Sequence, residues 1–386
     1  MQPLSVEDIP EFQDLAHEVL YAFMTGAICQ SDRRMPGRLR PRLHPAWHER
    51  IAMLAARSIP ESPRPPEDFH AAAKVLAAAY RKLRISIEAA AISEPIRQVV
   101  PGAQAGLVEG TKVVQMLRDF WSHGGAEVCA GIYLHGSHST GDVTGYSDVD
   151  TLLIIKQEVA ENPDALMTLG RRAQSSMGVL FSVDLLQHHG NFVLTETDLQ
   201  WYDEVWFPLV LFEYSTPLFA ADPLHIRVRS HGQHGARLNL ERMCRRFMAE
   251  WQPRQLRTAF HLKVQLSCFL ILPALLLQAH GRACYKRESF MMSKPYFDPE
   301  LWGVMDEVSD MRRLWRQDNH SAWRLLAKTQ PVLWHQIIST AGKFGVPAAI
   351  WRQVADPQLR ARMGDFARAC LALTSQQKSG VVNPGA

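Results

Sequence analysis

The chain of 386 residues lacks most of the features that would assign it to a class at once. Its six cysteines (Cys29, Cys129, Cys244, Cys268, Cys284 and Cys370) are scattered, with no CxxC pair. That excludes a cysteine-ligated zinc site and a disulfide framework, and points to buried thiols in a reducing, cytoplasmic compartment. Charge is nearly balanced: 42 Lys and Arg against 39 Asp and Glu, a net +3. Such a balance tolerates a nucleoside triphosphate but lacks the basic footprint of a nucleic-acid-binding protein. No apolar run reaches membrane length. The most apolar stretch, "VQLSCFLILPALLLQA" (Val264 to Ala279), is interrupted by Gln265, Ser267 and Pro273. It is shorter than the ~20 residues a span needs and reads as a buried bundle helix, so no membrane partner is expected. The opening "MQPLSVEDIPEFQDLAHEVL" is acidic and amphipathic, unlike a secretory signal. No internal repeat is evident. His188-His189 has no partner at ligand spacing and reads as a strand-end pair. What remains is ordinary globular composition, 47% apolar and 21% charged, in a chain long enough for two or three domains.

Against that background, "HGSHSTGDVTGYSDVDTLLII" (His135 to Ile155) is the most informative segment. "SDVDTLLII" reads as a turn feeding a buried strand, being continuously apolar, partly β-branched and too short for a helix. Side chains alternate along a strand, so Asp148 and Asp150 share a face while Val149 points away. Two adjacent carboxylates repel, and the usual relief is a hard divalent cation held through carboxylate oxygens. The preceding "AEVCAGIYLHGS" reads as a strand broken at Gly136, where a ligand can approach the backbone, and Ser137 offers an N–H and a hydroxyl to an anion.

The combination resembles the DNA polymerase β-like nucleotidyltransferase superfamily: Gly136-Ser137, the spacer "HSTGDVTGYS", then Asp148-Val149-Asp150 entering a strand. It looks closest to the minimal and antibiotic (aminoglycoside-type) enzymes, whose version reads GSxARGxxxxxSDxD; here Thr140 and Thr151 depart from it. "LFEYSTPLFAADP" (Leu211 to Pro223) is similar to the strand-and-exit segment of the antibiotic enzymes, in Phe219 and Asp222-Pro223. The resemblance implies a third carboxylate on a neighbouring strand. Asp184, central in "GVLFSVDLLQHH", is the candidate, ahead of Asp198 and Asp203, which lie in polar stretches that read as loop or helix start. It also implies a helical bundle closing over the substrate, with Lys286 in "LLLQAHGRACYKRESF" reaching the nucleotide's phosphates.

The expected fold is α+β: a small mixed-sheet nucleotidyltransferase core flanked by N-terminal helices and a C-terminal helical bundle. The expected division is an N-terminal helical region over 1–106, a catalytic domain over 107–225, a C-terminal helical domain over 226–373 and a disordered tail over 374–386. Helical patterns such as "EDFHAAAKVLAAAYRKLRISIEAAA" fill the first part. They flank a connection rich in arginine (Arg33, Arg34, Arg38, Arg40, Arg42) that reads as a solvated loop.

The resemblance implies catalytic and metal-binding roles for Asp148, Asp150 and Asp184, and nucleotide contacts for Gly136, Ser137 and Lys286. Two Mg²⁺ ions, with Mn²⁺ as the alternative, are the expected cofactors. The expected reaction moves a nucleoside monophosphate, AMP from ATP, onto an acceptor hydroxyl with release of pyrophosphate. A small-molecule acceptor leads; RNA or protein acceptors and an inactive nucleotide-binding scaffold are the alternatives. Oligomeric state is not legible.

Overall fold

The computed structural model describes residues 2–26, 29–30, 42–43, 45–59, 68–106, 108, 110–220, 222–229, 234–252, 256–316, 321–340 and 346–376. Arg33, Arg34, Arg38 and Arg40 of the arginine-rich connection lie outside the described residues, as do 377–386 of the expected tail. Positions 374–376 end the helix Pro357–Gln376.

The protein is α+β, built on a four-stranded mixed sheet. Its strands are β1 (Cys129–His135), β2 (Asp150–Ile155), β3 (Asn191–Thr195) and β4 (Thr216–Pro217). In space they run β3-β2-β1-β4, with β2 antiparallel to β1 and parallel to β3, and β4 antiparallel to β1. Val149 and Leu153 face one core, whereas Tyr133, Leu152, Ile154 and Leu194 face a second, smaller one. Both faces are covered, and hence β2 is buried without alternation after its first residue.

The larger core joins the sheet to the N-terminal helices. Helices α1 (Ile9–Thr25), α2 (Phe69–Ala89) and α3 (Pro163–Val183) pack together on the sheet, through Phe12, Phe23, Phe69 and Tyr80 among others. Asp198 belongs to this assembly. It opens the short helix Glu196–Leu199 in a capping box with Thr195, is fully buried, and accepts from Gln13 Nε2 at 3.2 Å and Tyr80 Oη at 3.4 Å. The expected helix start is there, but it is buried. Residues 96–99 and 224–227 form a separate antiparallel pair.

One element differs from expectation. "GVLFSVDLLQHH" is not a strand: α3 runs through it to Val183. Leu166, Leu169, Ala173, Ser176 and Leu180 are all buried, a spacing of three and four that carries the helical period through the apolar run. The strand beside β2 is instead "NFVLT", after a short turn.

The C-terminal helices surround a third core containing Phe247, Phe269, Trp302 and Phe366, to which Tyr146, Phe181, Leu185 and Leu186 contribute from the catalytic part. Helix α4 (Ala259–Leu270) and the following helix Leu272–Ala279 lie in it. Together, Ala259–Ala279 is long and apolar enough to cross a membrane by length and composition. Here 56% of its most apolar window is buried inside the protein, and its Lys263 is wholly buried beside Asp184. Helix α5 (Lys286–Ser293) follows after a bend at Gly281.

Gly170 gives a test of the packing between α1 and α3. A Cβ there would stand 2.5 Å from Phe23 Cε1 and 3.2 Å from Phe69 Cζ, the two rings being stacked at 4.0 Å. Helix propensity favours Gly170→Ala by ~1 kcal/mol, whereas overpacking costs ~1–3 kcal/mol. The variant should be net destabilised, and a denaturant midpoint at or above wild type would show that the helices yield.

Candidate active site

The site begins where β1 ends. Gly136 has φ +71°, in the region that side chains avoid, and a Cβ there would lie 2.5 Å from Asp150 Oδ2. Glycine is thus required twice over: for the turn, and for the close approach of the Asp150 carboxylate across the β1–β2 pairing of His135 with Asp150. The short helix Ser137–Thr140 follows. Buried Ser139 donates to Tyr214 O at 2.6 Å and accepts from Thr216 N at 2.8 Å, fastening this turn to β4.

Asp148 and Asp150 both line the cleft, and Val149 between them is buried in the opposite core, as the alternation requires. Gln187 holds this segment. Its amide accepts from Val149 N at 2.9 Å and donates to Val149 O at 2.8 Å, and also to His189 O at 2.9 Å. Through that clip the turn after α3 is pinned against the strand entrance. His188 Nδ1 comes to 3.1 Å and His189 Nε2 to 3.8 Å from Asp148 Oδ2. The pair read as strand-end histidines is therefore part of the site. Its partner, Asp148, stands forty residues earlier in the chain, where no local spacing could show it.

Asp184 sits at the C-terminal cap of α3 and is fully buried. One carboxylate oxygen accepts from Leu186 N at 3.0 Å, and the other is ion-paired to Lys263 Nζ. It is not a strand residue beside the Asp148–Asp150 pair, and its nearest charge is a lysine. Lys263 is the functional neighbour that sequence reasoning missed; a lone lysine in the apolar run "AFHLKVQLSCFL" was the available signal.

Across the cleft stands Lys286, the first residue of α5. Two contacts place it: Tyr285 Oη meets Thr140 Oγ1 at 3.2 Å, and Arg287 forks onto Asp142 at 2.8 and 3.0 Å. Tyr285 also stacks on Tyr214, with ring centroids 4.6 Å apart. Thr140, the departure from the resembled motif, thus anchors the helical bundle to the Gly-Ser turn.

The electrostatics follow from this crowding. Burial and the neighbouring Asp148 push the Asp150 carboxyl well above its ordinary value. Burial also pushes Asp148 up, but His188, Lys263, His189 and Lys286 together hold it below the usual carboxylate range. Burial pulls both His188 and His189 below their ordinary value, against the pull of Asp148. Burial raises Asp184, against the pull of Lys263. Lys286, partly buried, is lowered to about 8 by burial and Arg312, against the pull of Asp148 and Asp150. Among the described residues, Asp150 Oδ1 and both nitrogens of His188 are buried without a hydrogen-bond partner. Orphaned oxygen and nitrogen donors around a repelling carboxylate pair suit a divalent cation.

The cleft has a volume of about 1030 Å³. Tyr21 of α1 also reaches it, and burial raises its phenol, as Asp150 does further. The N-terminal helices therefore contribute to the site wall as well as to the core.

Buried Asp184 and half-buried Asp150 should part company on substitution. Asp184→Asn strips the partner from buried Lys263 and should cost ~3–5 kcal/mol, as breaking buried ion pairs does. Asp150→Asn relieves repulsion and should leave the melting temperature level or raised. Equal melting temperatures for the two variants would contradict this charge arrangement.

Residues 112–208 match the family model described as nucleotidyltransferase domain, a span that contains Gly136, Ser137, Asp148, Asp150, Asp184, His188 and His189 and ends before Lys286. No curated protein and no solved structure matches the chain. The match supports a transferase activity of the nucleotidyl class, and for this segment it supports the DNA polymerase β-like nucleotidyltransferase superfamily.

Proposed function

We propose that the chain transfers a nucleoside monophosphate, AMP from ATP, to a hydroxyl of a small molecule in the cytoplasm, releasing pyrophosphate. The observation that carries this reading is the opposition of Asp148 and Asp150 to Lys286 across one cleft beside the Gly136-Ser137 turn. A triphosphate's reacting phosphorus is shielded by negative oxygens, so its transfer needs positioning and charge neutralisation more than covalent chemistry from the protein. Asp148 and Asp150 would hold the divalent cation, Mg²⁺ or Mn²⁺. When bound, the cation neutralises triphosphate charge and lowers the pKa of the acceptor hydroxyl.

The chain's own residues do the rest. Ser137, at the start of its short helix, offers a hydroxyl and an N–H to phosphate oxygens, and Gly136 leaves the backbone open to them. Lys286 balances the charge of the departing pyrophosphate. Asp184 acts through Lys263, fixing a buried positive charge behind Asp148. A third acidic ligand is not assigned to it.

The acceptor reading rests on the cleft wall. Trp206, Phe207, Leu211, Met243, Val264 and Leu275 line it with apolar surface, which suits a compact organic acceptor. Cys129, Cys244, Cys268, Cys284 and Cys370 are free thiols, in keeping with a reducing compartment.

Labelled ATP, GTP, CTP and UTP, incubated with the protein, Mg²⁺ and separate pools of small molecules, tRNA and protein, test the reaction and the acceptor together. Label is expected from ATP in the small-molecule pool, and exclusive labelling of tRNA or protein would replace the acceptor. Asp150→Asn should lower turnover by at least roughly a hundredfold.

Lys286 carries a pH signature. Its charge is present below about pH 8 and lost as pH rises through that value. The kcat/KM for the triphosphate should therefore fall above about pH 8, and Lys286→Arg, permanently charged, should move that limb upward. An unchanged limb in the arginine variant would remove Lys286 from the phosphate site.

A further inference from the structure

We infer that the cation site is a mixed carboxylate–imidazole centre, in which His188 and His189 join the Asp148–Asp150 pair as donors, and that it prefers a first-row transition-metal ion, Mn²⁺ included, to Mg²⁺. The inference deepens the nucleotidyl-transfer reading by assigning the metal class of that same site.

Three observations carry it. First, one donor atom each from Asp148, His188 and His189 lies within 4.8 Å of the others. The 3.1 Å and 3.8 Å separations from Asp148 Oδ2 are near those of ligands sharing one ion, since donors ~2.1 Å from a metal stand ~3 Å apart. Second, the His188 side chain is only 3% exposed and its two nitrogens have no hydrogen-bond partner among the described residues. Nδ1 approaches Asp148 Oδ2 at 3.1 Å without hydrogen-bond geometry, and a buried imidazole so left is costly unless something occupies one of its nitrogens. Third, the carboxylate that would otherwise complete an all-oxygen site, Asp184, is taken up by Lys263 and Leu186 N.

Donor chemistry then sets the preference. Mg²⁺ demands oxygen ligands in near-ideal octahedral geometry, whereas imidazole nitrogen suits the later divalent metals, and affinity rises from Mn²⁺ along the first row. Gln187, donating to His189 O and clipped to Val149, is the positioning residue that keeps both rings beside Asp148.

The test uses Mn²⁺ alone on the nucleotide-free full chain. Pulsed electron paramagnetic resonance should show nitrogen modulation on the bound Mn²⁺. Titration calorimetry should give tighter binding of Mn²⁺ than of Mg²⁺. His189→Ala, at a half-exposed position that tolerates truncation, should weaken Mn²⁺ at least roughly tenfold and diminish the modulation. His188→Asp, which restores an oxygen donor, should shift selectivity toward Mg²⁺; melting curves identify any variant that fails to fold, and His189→Ala then decides alone. Bound Mn²⁺ without nitrogen coupling, equal affinities for the two metals, or no Mn²⁺ binding at all would each overturn the inference. Label transfer is measured on the same preparation. Transfer without nitrogen coupling overturns the mixed centre and leaves the activity standing. Nitrogen coupling without transfer supports the centre and removes the activity.

Discussion

Three crowded carboxylates, one buried and two half-buried, within one another's field are the constraint on which this site depends. Asp148, Asp150 and Asp184 would repel one another and resist burial if nothing answered their charge. The fold answers it unequally. Asp184 receives an ion-pair partner, Lys263, drawn from the middle of an apolar helix of the C-terminal bundle. Asp148 receives two imidazoles, with lysines further off. Asp150 is left with Oδ1 unpartnered among the described residues, while its Oδ2 lies against Gly136. That gradation, from satisfied to unsatisfied, separates the carboxylate that stabilises the fold from the pair suited to a cation and a triphosphate.

The same constraint explains why the helical regions are inseparable from the catalytic sheet. Lys263 and Lys286 both come from the C-terminal bundle, and each is oriented by contacts reaching back to the sheet or its turns. Tyr146 Oη donates to Lys263 O at 2.7 Å. Thr140 meets Tyr285, and Asp142 holds Arg287. On the other side α1 supplies Tyr21 to the cleft while its inner face forms the main core with α2 and α3. The cleft is thus walled from three parts of the chain, and the charge balance of the catalytic strand depends on all of them being docked.

Gln187 shows how a side chain can stand in for sheet hydrogen bonding. Ahead of β2, the Gln187 amide supplies Val149 with both an acceptor and a donor. A neutral amide can do this without adding charge to a crowded anionic site. In closing the gap it also brings His188 and His189 to Asp148.

By itself the sequence determined the strand that ends at Gly136, the Asp148–Asp150 alternation entering β2, the helix over "FHAAAKVLAAAYRKLRISIEA" and the α+β class. All of these rest on local period, turn chemistry and propensity, which a window of residues carries. It left the end of α3 open to misreading, because an apolar run of a few residues fits a strand or a buried helix equally well until its neighbours are known. Only the tertiary structure decided the roles of Asp184, Lys263, His188 and His189. Their partners lie 79 residues away for Asp184 and Lys263, and the histidines meet Asp148 only through the Gln187 clip. Charge pairing at such separations depends on where whole helices dock, and no local pattern in the chain encodes it.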